Sequence, residues 1–202
     1  MATSSTPYGL KPVKRADGMP YAGATSQYLI DPAGEATNLF YGQVVAIGAD
    51  GYIAIAGGTG ADITTNNLGG SGVGGIGVFV GCEYVNAQGQ VIFGQYYPSG
   101  TANGGAIKAY VVDDPNVLFQ CQADAAMDQS DIGANVYFAA AQSTSTGDTA
   151  TGNSTSAVVG ATVTTAAAFR VVAAVSDLTE SNPDILVKFN PGSHQMTNNV
   201  GI

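Results

Sequence analysis

Apolar and polar residues alternate over short stretches along most of the chain, and turn-forming residues interrupt each stretch within a few positions. Alternation with a period of two marks half-buried β-strands. Gln27–Asp31 predicts a strand, stopped by Pro32-Ala-Gly34. Residues 39–56 predict a β-hairpin, because two β-rich runs flank Gly48-Ala-Asp-Gly51. The Asp-Gly pair supplies the positive φ that a tight turn requires. Val78–Val85 and Gln90–Tyr96 predict a second hairpin around Asn86-Ala-Gln-Gly89. Further strands are expected at Ile107–Val112, Asn116–Gln122, Val136–Ala140, 157–164, 169–175 and 184–190, with Asp113-Asp114-Pro115 separating the first two. Only Ala123–Gln129 has a helix-like composition. Strands do not alternate with helices, so a doubly wound parallel sheet is excluded. The pattern predicts an all-β fold, an antiparallel β-barrel or sandwich of short strands.

Three kinds of segment depart from that alternation. Residues 1–26 carry Pro7, Pro12, Pro20, Gly9, Gly18 and Gly23, which no helix tolerates, and predict an extended N-terminal arm. Residues 57–77 and 142–156 are polar and rich in Gly, Thr, Ser or Asn, and predict long loops. Residues 193–202 follow Pro191-Gly192 and predict a flexible tail. The β body then spans 27–192. A weak internal echo divides it into two related β-units, 27–100 and 101–192. Tyr41-Gly-Gln-Val-Val45 leads to Gly77-Val-Phe-Val-Gly-Cys82 in one, and Ile132-Gly-Ala-Asn-Val136 leads to Arg170-Val-Val-Ala-Ala-Val175 in the other.

At 202 residues the chain can bury a substantial core, and a hydrophobic share of 45% excludes disorder throughout. No run approaches the ~20 apolar residues of a membrane-spanning helix. Only 10% of residues are charged, and the net charge of −9 is unevenly placed. Lys11, Lys14 and Arg15 are half of the six basic residues and precede the first acid, Asp17. The remainder holds three basic residues against 15 acidic ones. Such a body disfavours nucleic acid, whose binding depends on neutralising phosphates. A basic arm on an acidic body suits attachment to another acidic surface.

The residues with chemical potential are few. Cys82 and Cys121 lie in apolar alternating runs and read as buried core thiols, with a disulfide open should the two strands meet. The N-terminus has no apolar signal core, so folding in a cytoplasm is expected. Without a secretion signal, the acceptor pattern Asn153-Ser154-Thr155 carries no weight. Gly72-Val-Gly-Gly-Ile-Gly77 matches G-x-G-x-x-G but has no strand before it and no helix after it to hold a phosphate. His194, the sole histidine, reads as a surface residue of the tail with no triad around it. Zinc-site spacing is absent. Asp124 and Asp128 would share a helix face near Asp131. They and Asp113-Asp114 read as solvated acids, since no calcium-loop pattern occurs. Cleavage of a glycan by paired carboxylates would have to rely on the 10 tyrosines for stacking, because tryptophan is absent. No enzyme, cofactor or metal is expected.

The stretch Ser5-Thr-Pro-Tyr-Gly-Leu-Lys-Pro-Val13, leading into Phe40-Tyr-Gly-Gln-Val-Val-Ala-Ile-Gly-Ala-Asp-Gly-Tyr52, resembles small virion proteins of marine tailed phages. The later Gly77–Gly81 strand, Gly-Val-Phe-Val-Gly, is similar to head decoration, or cement, proteins. The resemblance implies a compact β-barrel on the outside of a capsid, often a homotrimer, with arms over neighbouring subunits. The partner would be the major capsid protein, with no nucleic acid and no membrane. Tyr8, Leu10 and Val13 would supply apolar anchors, and Lys11, Lys14 and Arg15 would meet capsid acids. The two polar loops would pack against a sister subunit or the capsid. A low content of long charged side chains fits packing in a lattice, since few need ordering. The alternative is another virion surface protein, a minor capsid or tail-associated component with loops that bind a host surface.

Overall fold

The structure, a computed structural model, describes residues 4–61, 74–101, 105–143 and 147–197. It is almost entirely β. The strands are β1 (Lys11–Arg15), β2 (Ser26–Ile30), β3 (Val44–Ile47), β4 (Ile53–Ile55), β5 (Gly77–Val85), β6 (Val91–Gly94), β7 (Ile107–Val112), β8 (Val117–Gln122), β9 (Asn135–Val136), β10 (Gly147–Asp148), β11 (Asn153–Ser154), β12 (Phe169–Ala174) and β13 (Asp184–Phe189). All strand pairs are antiparallel. One sheet has the order β1-β8-β13-β12-β9. A second has the order β2-β7-β5-β3-β4, with β6 continuing alongside β5, and β10 and β11 form a separate small hairpin.

The two sheets form a sandwich. Val44, Ala46, Val78 and Val112 of the six-stranded sheet join Phe119, Phe169, Val187 and Phe189 of the five-stranded sheet in one core. Its aromatic rings meet edge-on or tilted, Phe119–Phe189 at 5.7 Å, Phe169–Phe189 at 5.0 Å and Phe138–Phe169 at 5.1 Å between centroids. Because side chains alternate along a strand, Val45 and Phe79 point the other way. They join Ile30, Ile53, Tyr97 and Ile107 in a second core on the far face of the six-stranded sheet. That face is covered by the sheet's own curl, which brings its end strands β2 and β4 near each other. No pairing joins them, so the sheet does not close into a barrel. Cys82 belongs to the second core and Cys121 to the first; both are buried and unbridged.

Both predicted hairpins form. The Gly48 N–H donates to the Tyr52 carbonyl at 2.8 Å, with Gly51 at φ 81°. In the second, the Asn86 N–H donates to the Gln90 carbonyl at 2.9 Å, and the Asn86 side-chain oxygen accepts from the N–H groups of Gln88 and Gln90. β7, which follows residue 100, lies between β2 and β5.

Several expectations need correction. Ala123–Gln129 is not helical. Its N–H groups are taken by other parts of the fold: Ala123 donates to Pro183 and Met127 to Leu178. Only a single 3-10 turn, Gln129–Asp131, follows. Asp124 and Asp128 therefore share no helix face; Asp124 accepts from the Gly160 N–H at 2.8 Å, and Asp128 belongs to the cap of that turn. The strand expected at Val136–Ala140 is limited to β9, and 157–164 makes isolated bridges through Val158 and Val163 instead of a strand. The stretch 142–156 holds β10 and β11, and its Gln142, Ser154 and Ser156 are buried and hydrogen-bonded to one another. Of the loop 57–77, residues 62–73 lie outside the described residues, and with them much of the Gly72–Gly77 motif. The preceding residues are held by the body, Thr59 accepting from Phe138 and Gly60 from Ala168.

The tail is anchored as far as Thr197. Gly75 donates to the Ser193 carbonyl and accepts from the Gln195 N–H, each at 2.9 Å. The Gln195 amide brackets the backbone of Ile47, accepting its N–H at 2.9 Å and donating to its carbonyl at 3.1 Å. His194 is accordingly not a surface residue; it is 1% exposed, edge-on to Phe189 at 5.3 Å. Residues 198–202 lie outside the described residues.

Candidate functional site

The N-terminal segment is sewn into the sandwich. Leu10 is fully buried in the core between the sheets, and its N–H donates to the Gly42 carbonyl at 2.9 Å. Gly9, at φ 77°, passes so close to Gly42 that a Cβ would meet its carbonyl oxygen at 2.7 Å. β1 then pairs with β8 as the edge of the five-stranded sheet. An edge tolerates Pro12, which lacks an N–H. The register slips between Pro12 and Lys14, leaving Val13 as the extra residue of a bulge, 41% exposed.

The six arm residues thus have different fates. Leu10 is a core residue and presents nothing to a partner, which corrects its role as an external anchor. Tyr8 is half-buried, and its hydroxyl donates to Asp184 at 2.9 Å; burial first, and that carboxylate second, push the phenol above its ordinary pKa. Lys11 and Val13 face outward and Lys14 is half-exposed. Arg15 is tied to Asp114 at 2.6 Å and Asp17 at 3.1 Å. These pairs are well exposed and contribute little to stability.

A cleft of about 670 Å³ opens where the two sheets diverge beside Tyr8 and Lys11. β5 bulges between Phe79 and Gly81, turning Val80 toward this space. Gly81, at φ 152°, and Gly94 of the neighbouring β6 give it a floor without side chains; a Cβ on Gly81 would come within 3.1 Å of the Gly94 carbonyl. Phe93, Tyr41 and Tyr110 supply rings, and Gln95, Gln120 and Asn153 supply amides. The rings differ in setting. Phe93 is 72% exposed, while the Tyr110 hydroxyl donates to Glu83 at 3.2 Å, which Lys108 also engages at 3.2 Å. These residues come from well-separated strands and loops, so no local motif could have revealed them. The one legible signal was Val91-Ile92-Phe93, a run of three apolar residues between Gly89 and Gly94 that is too short to be covered on both faces and leaves Val91 and Phe93 exposed.

The remaining groups show little chemical activation. The Cys82 thiol borders the cleft, but burial pushes its pKa up to about 12, so it is a poor thiolate source. Burial also raises the Cys121 thiol. Burial lowers the pKa of His194, against the opposing charges of Asp113 and Asp114, and its Nδ1 accepts from the Met196 N–H at 3.2 Å. Among the described residues, no three His, Cys, Asp or Glu side chains gather as a metal site, and no helix is long and apolar enough to cross a membrane. No family model, curated protein or solved structure matches the chain.

Proposed function

We propose that the chain is a structural virion protein that binds the outside of a tailed-phage capsid and stabilises its lattice, as a homotrimer. The observation that carries this reading is β1: the basic stretch of an acidic chain lies at the rim of the five-stranded sheet, where residues 19–21 fold back over its outer edge and a bulge still leaves Val13 exposed between Lys11 and Lys14. Cations beside an exposed apolar side chain fit an acidic protein surface, where charge steers the encounter and apolar burial retains it. A ligand that binds only the assembled shell stabilises that shell by mass action, and three copies in one trimer multiply the effect. The resemblance of residues 5–13 and 40–52 to small virion proteins of tailed phages, and of the Gly77–Gly81 strand to decoration proteins, points the same way.

Deleting the arm is a poor test, because it would remove Leu10 from the core and β1 from the sheet. Surface substitutions avoid that. The wild-type chain should co-sediment with assembled shells of its phage's major capsid protein and raise the temperature at which they open. V13D combined with K14E should leave the unfolding curve unchanged and weaken co-sedimentation by about tenfold or more. Shells that never retain the wild-type chain would overturn the reading. Native mass spectrometry of the free protein tests the trimer.

A further inference from the structure

We propose that the cleft between the diverging sheets binds a neutral oligosaccharide, with a pyranose ring on Phe93 and hydroxyls on the amides opposite. This goes beyond capsid attachment and does not rest on it. Three features of the cleft converge on that ligand class.

The first is its shape. At about 670 Å³ it falls within the range of small-molecule sites, roughly 300–1,000 Å³. Gly81, at the bulge of β5, puts bare backbone in the floor, and a Cβ there would meet only the Gly94 carbonyl within 4 Å; close approach of a ligand is a usual reason for glycine within strands. The second is the ring on its rim. Phe93 is 72% exposed on the outward side of β6. An aromatic face carries partial negative charge and attracts polarised C–H groups, which the flat face of a pyranose presents.

The third is the polar lining. Gln95 Nε2 donates to Asn153 Oδ1 at 2.7 Å, which orients both amides and leaves Gln95 Oε1 and Asn153 Nδ2 for a ligand. Gln120 Nε2 donates to Asp184 at 3.2 Å, which leaves Gln120 Oε1. The Lys11 ammonium and the Tyr41 hydroxyl also line the cleft, and neither group has a hydrogen-bond partner among the described residues. Oriented donors and acceptors together suit hydroxyl groups, each of which donates one hydrogen bond and accepts others.

The lining carries one cation, Lys11, which is too little to hold a multiply charged anion. Behind it Lys108 offsets Glu83, while the Asp184 carboxylate accepts from the neutral Tyr8 and Gln120 and keeps a negative charge beside the site on an acidic body, an unfavourable setting for phosphates. Among the described residues no carboxylate lines the cleft itself, so the pair of acids that glycoside cleavage requires is not found there. The site would hold the sugar without cutting it.

Titration calorimetry against oligosaccharides of glucose, galactose, mannose and N-acetylglucosamine, with trigalacturonic acid as a charged counterpart, tests this. At least one neutral oligosaccharide should bind saturably, and more tightly than trigalacturonic acid. F93A, which removes an exposed side chain, should leave the unfolding curve and capsid co-sedimentation unchanged and weaken that binding by about tenfold. V13D with K14E should leave sugar binding unchanged, so the two readings fail separately. No binding by any neutral member, equal binding by F93A, or preference for the uronate would each overturn the proposal.

Discussion

In the six-stranded sheet, β5 is covered on both faces: Val78 points into the core between the sheets and Phe79 into the second core behind. In the five-stranded sheet, β12 is covered on one face only: Phe169 and Val171 point inward, and Arg170 and Val172 face out. The contrast is written in the sequence. Gly77–Cys82 reads Gly-Val-Phe-Val-Gly-Cys, without a polar interruption, whereas Phe169–Val172 places Arg170 between apolar neighbours. A continuous apolar run marks a strand with two buried faces, and an interrupted one marks a strand with a wet side. The basic edge strand β1 sits on the single-sided sheet, while the cleft forms where the two sheets separate.

The largest expected effect tests whether the second core is a core of equal standing. Phe79 and Phe119 are both fully buried, one in each. Phe-to-Ala changes in a packed interior cost about 3–5 kcal/mol. F79A and F119A should therefore shift the urea midpoint by similar amounts. If F79A cost less than about 1 kcal/mol, the curl behind the six-stranded sheet would be a loose flap and the comparison would break.

Gly77 sharpens the same point at a lower cost. It opens β5 opposite Val45 of β3 and beside Val112 of β7, and a Cβ there would press against the Val112 carbonyl and come within 2.8 Å of Val111 Cγ1. A sheet covered on both faces cannot shift to make room. G77A should destabilise by about 1–3 kcal/mol, the usual cost of overpacking, measured by chemical denaturation. A neutral result would show that the sheet relaxes as freely as a surface strand.

How legible all this was depends on range. The two hairpins were readable because Asp50-Gly51 and Asn86–Gly89 determine their turns locally. The antiparallel all-β class followed from alternation alone. The helix-like reading of Ala123–Gln129 failed because Pro183, Val158 and Leu178, distant in sequence, capture its N–H groups. His194 was misplaced for a related reason: polar neighbours suggested water, but Gly75 and Ile47 dock the tail and bury the ring. The arm's prolines and glycines excluded a helix, yet did not show that the segment is no free arm but part of the sandwich, with β1 in a sheet and Leu10 in the core. The cleft was invisible because its lining converges from separate strands and loops.

The buried His194 ties the tail to the six-stranded sheet and gives a pH-dependent effect. Its folded pKa is below the unfolded value, so the unfolded chain binds the extra proton first. The stabilisation is complete above about pH 6.5 and is lost as pH falls from there through the folded pKa. H194Q should be less stable than wild type at pH 7.5, and the gap should narrow at pH 5, read as urea midpoints. A gap independent of pH would mean that the ring contributes by packing alone.

The smallest effect should come from the wet side of the five-stranded sheet. β12 slips register between Val171 and Ala173, so Val172 is the unpaired residue of a bulge, 38% exposed. Threonine keeps the β-branch that suits an extended backbone, and its hydroxyl there can meet water. V172T should change stability by no more than about 0.5 kcal/mol, the usual range for a surface substitution. V171T, one residue earlier, places the same hydroxyl among Phe169, Val187 and their neighbours in the core between the sheets. Burying a hydroxyl without a partner costs about 1–3 kcal/mol in proteins. The two variants have the same chemistry on adjacent residues, so the difference between their denaturation midpoints measures how one-sided this sheet is. Equal losses at both positions would place Val172 under cover in solution, and the free protein's outer face would then have to be occupied by another copy.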